Sequence, residues 1–68
     1  MGVKLKRTFR DDRGRFRADI MVAGERVGYV RRVEGGNDYY AIIDGLEVAA
    51  APTLDVIIRE LRQTLRAA

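Results

Sequence analysis

Thr53-Leu54-Asp55-Val56-Ile57-Ile58-Arg59-Glu60-Leu61-Arg62-Gln63-Thr64-Leu65-Arg66-Ala67 is the stretch whose reading decides the fold. Leu54, Ile57, Ile58, Leu61 and Leu65 recur at helical spacing and fall on one stripe. Thr53, just after Pro52, is placed to accept a bond from the free amides of a first helical turn, and Asp55 suits the positive end of the dipole. Arg59, Arg62 and Arg66 follow toward the negative end. The spacing predicts a helix over 53–67, about 21 Å long. Its stripe is too narrow for a helix buried all round and suits one face of a sheet. Val56 falls outside the stripe, either simply exposed, as single apolar residues commonly are, or part of a contact surface.

Upstream of that helix the period changes from 3.6 to 2. Strands are predicted over 3–10, 15–22, 26–33, 38–43 and 46–50. In the first, Val3, Leu5 and Phe9 share a face, with Lys4, Lys6, Thr8 and Arg10 opposite and Arg7 interrupting the apolar side. The second alternates cleanly, Phe16, Ala18, Ile20 and Val22 against Arg15, Arg17, Asp19 and Met21, as a strand with one dry and one wet face does. In the third, Val27, Tyr29 and Val33 share a face with Arg31, and Gly28 and Val30 share the other with Arg26 and Arg32. Gly28 inside a strand marks a bulge or a close approach of another backbone. The fourth is apolar on both faces, which places it inside the sheet or at an interface. Asp44-Gly45 between apolar runs predicts a two-residue type I′ hairpin, since both residues there need positive φ. The fifth strand, ending in Ala49-Ala50-Ala51, is thin and expected to fray.

The expected architecture is α+β: one domain, an antiparallel meander of four to five strands with a C-terminal amphipathic helix on one face. The predicted core is Leu5, Phe9, Phe16, Ala18, Ile20, Val27, Tyr29, Ile43, Leu54, Ile57, Ile58, Leu61 and Leu65. A chain of 68 residues buries only about 60% of its unfolded surface, so its core is small. No cysteine is present for a disulfide, and no histidine or thiolate for a transition-metal site. Pairing with a second copy is then the remaining common support, with a well-packed monomer as the alternative. No stretch reaches the roughly 20 apolar residues of a membrane span. Met1 to Lys6 lacks the apolar run of a secretory signal, so a cytoplasmic location is expected.

Little in the composition supports catalysis. Without His or Cys the usual nucleophile–base pairs cannot be assembled, and most carboxylates fall in turns or at strand ends. No cofactor is expected. Gly35-Gly36 is followed by no lysine and no helix, so it is not a phosphate loop. Asp11-Asp12 near Gly14 lacks calcium-loop spacing.

The charge is uneven. Net charge is +3, yet residues 1–17 hold seven cations against Asp11 and Asp12, and the remainder is net acidic. Eleven of the thirteen cations are arginine, whose planar fork suits phosphate and stacks on rings. Lys4, Lys6, Arg10, Arg13, Arg15 and Arg17 form the candidate nucleic-acid surface on the first hairpin, with Tyr40 among the tyrosines able to stack on unpaired bases. The plainer alternative is a solvated charged face and tyrosines used in packing. Met21, Val30 and Val56 are apolar residues in excess of a single small core, and mark a candidate protein interface.

The order of four strands, a possible fifth, then a helix is similar to the purine-rich element-binding repeat and to transcriptional coactivators of the ββββα type. Arg13-Gly14-Arg15-Phe16-Arg17-Ala18-Asp19-Ile20 resembles the glycine–basic–aromatic second strand of those families. It also looks like the second strand of the plant-type and phage-integrase three-stranded DNA-binding domains. These resemblances imply dimers whose curved sheets grip unpaired strands, or sheet arginines entering a major groove. Small size and high charge also look like phage or mobile-element accessory proteins, including inhibitors of host defence complexes. The expected function is a non-enzymatic binding module for nucleic acid, with single strands as one candidate ligand. A protein-binding module, such as a viral inhibitor or dimeric adaptor, is the alternative.

Overall fold

A computed structural model describes residues 2–10, 14–33 and 35–67, without the side chains of 66 and 67. Five strands, β1 (Val3–Arg10), β2 (Phe16–Val22), β3 (Glu25–Arg32), β4 (Tyr39–Ile43) and β5 (Leu46–Ala51), precede one helix, α1 (Leu54–Ala67). They form a single antiparallel sheet in the order β1-β2-β3-β4-β5, which is the expected α+β meander with its C-terminal helix. The start of α1 is fixed as its sequence predicts. The Val56 amide donates to Thr53 Oγ1 at 3.3 Å, and the Ile57 amide donates to the Thr53 carbonyl at 3.2 Å.

Two hairpins turn on adjacent pairs of positive-φ residues. Asp44 (φ 53°) and Gly45 (φ 77°) make the expected tight turn. Ala23 (φ 52°) and Gly24 (φ 82°) make a second of the same kind, although alanine is a poor residue for it. An L residue other than Gly, Asn or Asp held there costs about 1–2 kcal/mol. Ala23→Asn should therefore stabilise the domain by about 0.5–1 kcal/mol. Thermal unfolding would show this as a rise of several degrees, about 4–8 °C per kcal/mol at this size.

Three β-bulges control which side chains face the helix. Register shifts fall between Arg7 and Phe9 on β1, between Ile20 and Met21 opposite Val27, and between Ala41 and Ile42 opposite Val48. Each inserts one unpaired residue and increases local twist. The resulting curvature shows in how α1 packs. Its backbone comes nearest β5 and β4 on one side of the sheet and β1 at the other edge, with side chains of β2 and β3 filling the space between. The sheet therefore curls around the helix, and among the described residues no element covers its convex face.

Ile20, Val30, Ile57 and Leu61 are fully buried between sheet and helix. Ala18, Ala41, Ala49 and Ala51 are buried with them, and their small side chains let α1 approach the sheet closely. The expected fraying of the alanine run does not occur: β5 extends to Ala51 because the helix covers Ala49 and Ala51. Three members of the predicted core move out: Phe9, Tyr29 and Ile58, the last only half-buried and apart from the core cluster, against which Val56 packs instead. Phe9 is 46% exposed, because the bulge at Thr8 turns it to the convex face opposite Arg17. Tyr29 is turned the same way beside Ile42, since the extra residue at Val27 shifts the alternation of β3. Val30 moves in.

Gly28 answers to both of its expected roles. It adjoins the Val27 bulge, and a Cβ built there would collide with the Ile42 carbonyl oxygen and lie 2.9 Å from Ile43 Cγ1. Beyond the covered core, Phe16 and Tyr39 meet edge to face at 5.4 Å. Arg32 lies 5.2 Å above the Tyr39 ring, and its Nε donates to the Gly36 carbonyl at 3.1 Å, tying down the β3–β4 connection. Among the described residues no helix is long and apolar enough to cross a membrane.

Candidate nucleic-acid interface

Pairing register places the side chains of the convex face in rows, because residues directly opposite in neighbouring strands share a face. The first row runs Phe9, Arg17, Arg31, Tyr40, Ala50 across all five strands. The second runs Lys6, Asp19, Tyr29, Ile42, Glu47. The third runs Lys4, Met21, Arg26. The face is thus basic over β1 to β3, with Phe9 at the β1 end of the first row and a second ring, Tyr40, on β4 next to the terminal Ala50.

Arg17 and Arg31 stand directly opposite each other on neighbouring strands. Like charges in that position destabilise a sheet. Arg17 offsets part of this by stacking its guanidinium 4.4 Å above the Tyr29 ring. Asp19, the one carboxylate in these rows over β1 to β3, is taken by Arg26, whose Nε donates to its Oδ1 at 2.9 Å. Among the described residues Lys4, Lys6 and Arg31 have neither a hydrogen bond nor an ion pair. The face therefore carries cationic capacity that the fold itself does not consume.

The predicted surface residues separate as follows. Lys4, Lys6 and Arg17 share the convex face, and Tyr40 joins them half-buried beside Arg31. Arg15 lies 5.7 Å from the Phe9 ring and so borders the first row. Arg10 does not join them: past the bulge it pairs with Phe16 and takes the helix side at the hairpin's end. Arg13 lies outside the described residues. Of the candidate protein-interface residues, Met21 is on the convex face, while Val30 is fully buried under the helix and unavailable to any partner. Val56 is half-buried against the core instead of standing free.

Sequence reading missed Phe9 and Arg31 as surface partners. Arg31 was legible in part, since it shares the parity of Tyr29 two residues earlier. Phe9 was not, because only the bulge at Thr8 turns it outward. Among the described residues no three metal-ligating side chains cluster. Comparison with protein-family models, with curated proteins and with solved structures finds no match.

Proposed function

We propose that this chain is a non-enzymatic nucleic-acid-binding module that takes unpaired strands across the convex face of its sheet. The observation that carries this reading is the Arg17–Arg31 pair, two like charges placed side by side on an uncovered face. Such a pair is costly in isolation and favourable once a phosphate lies between or above its members.

The rest of the first row fits the same ligand. From Phe9 on β1 to Tyr40 on β4 is three strand spacings, about 14 Å. A stacked strand advances about 3.4 Å per nucleotide, so the row accommodates roughly four. Phe9 and Tyr40 supply surfaces on which any base stacks, and the arginines between them supply phosphate contacts. In this reading the first hairpin contributes Lys4 and Lys6, and the surface extends to β3 and β4. A protein-binding role has less support, because of its three candidate residues only Met21 lies on the free face.

Fluorescence anisotropy with labelled single- and double-stranded oligonucleotides tests the reading. With Lys4, Lys6, Arg17 and Arg31 engaged, log affinity for single strands should fall against log salt with a slope of about −3. That is roughly a fiftyfold loss between about 50 and 200 mM salt. Absence of binding even at low salt would sink this reading and turn attention to a protein partner.

A further inference from the structure

Pairing of β3 with β4 begins only at Gly28 with Ile43. Residues 25–27 of β3 therefore have β2 on one side and no strand on the other. Into that gap the β4–β5 turn brings Asp44 and Gly45. The result is an open depression of about 330 Å³ lined by Arg26, Val27, Gly28, Tyr29, Ile42 and the turn residues Asp44 and Gly45. Its volume is at the lower end of the range, roughly 300–1,000 Å³, that small ligands occupy.

Its chemistry is specific. Arg26 presents a guanidinium whose Nε is already held by Asp19 at 2.9 Å, which orients the fork and leaves its terminal amino groups as donors. Asp44 presents a carboxylate, which only accepts. Tyr29 is steadied by Arg17 stacked 4.4 Å from its ring centroid, and Ile42 stands opposite it in the ladder. A flat ligand with two adjacent acceptors on one edge and two adjacent donors on the next matches these groups.

We infer that this depression is a guanine-selective base pocket, a deepening of the nucleic-acid reading on which it rests. Guanine N7 and O6 accept from Arg26, the commonest bidentate arginine–base contact. Guanine N1–H and the N2 amino group donate to Asp44. Adenine sets its N6 amino donor beside N7 and so opposes a donor to the arginine. Cytosine and thymine lack the adjacent donor pair. Tyr29 belongs both to the pocket and to the second row, so a strand crossing the convex face can place one base here.

The test compares single strands of thymidine with and without one central guanine, by anisotropy, on the intact chain and on Asp44→Asn. Asparagine keeps the positive-φ turn while replacing one acceptor by a donor. The guanine strand should bind about tenfold more tightly to the native chain, and inosine, which lacks the N2 amino group, should lose much of that gain. Asp44→Asn should erase the preference while the all-thymidine affinity stays the same or rises slightly, since a negative charge is removed. Equal affinity of the two strands, or a preference surviving Asp44→Asn, overturns the pocket while leaving the nucleic-acid reading intact. If neither strand binds, that reading fails, and titration with guanosine monophosphate decides the pocket separately. Saturable amide shifts at Gly28, Asp44 and Gly45, absent with thymidine monophosphate, support it; no shifts overturn it.

Discussion

Gly28→Ala should unfold the domain or lower its melting temperature by at least 10 °C, about the drop a loss of 2–3 kcal/mol produces at this size. The added methyl group meets the Ile42 carbonyl oxygen, a backbone atom that cannot rotate away, and the Ile43 side chain at 2.9 Å. Relief requires β3 and β4 to separate where Gly28 and Ile43 are paired. Overpacking costs of about 1–3 kcal/mol are usual even where side chains adjust, and here the obstacle is main chain. A domain of this length holds only about 3–10 kcal/mol in total. Gly2→Ala is the matched control, since nothing lies within 4 Å of a Cβ there. Calorimetry or thermal circular dichroism on the two variants should separate them widely. A Gly28→Ala protein melting within about 3 °C of the parent would refute the close approach.

The same three bulges explain what was legible in the sequence and what was not. Strand number, hairpin order and helix start were legible because each has a local cause: alternation, the Asp44-Gly45 pair, and the Thr53 hydroxyl at its cap. Which face a side chain takes depends on unbroken alternation, and one extra residue reverses everything beyond it. Phe9 and Arg10 exchanged faces at Thr8. Val27 kept its place against the core, while Tyr29 and Val30 exchanged theirs one step later. No residue type at Thr8 announces a bulge. Gly28 did announce one, and it stood next to the position where alternation fails. The alanine run misled for another reason. Small residues read as a weak strand, whereas here they are what the helix needs in order to come close. The candidate surface was half legible in consequence: Lys4, Lys6 and Arg17 from alternation alone, Phe9 and Arg31 only once the register was known.

Arg17→Glu combined with Arg31→Glu should weaken binding of a single-stranded oligonucleotide by about a hundredfold at roughly 50 mM salt. Counterion release alone makes each phosphate contact worth nearly tenfold at that salt, and two introduced carboxylates add repulsion. The salt slope should fall from about −3 toward about −1.4, because two of four phosphate contacts are gone. Stability provides an independent check on the same pair. Arg31 is exposed, opposes Arg17 directly, and has no partner among the described residues. Replacing it by a neutral residue removes a like-charge contact and no hydrogen bond. Arg31→Gln should thus raise the melting temperature slightly, the yield of a few tenths of a kcal/mol, while reducing affinity severalfold. Opposite signs for stability and binding at one position are what a site held against its own repulsion should give. An Arg31→Gln protein that melts lower and binds as tightly as the parent would show that the arginine serves the fold and not a ligand.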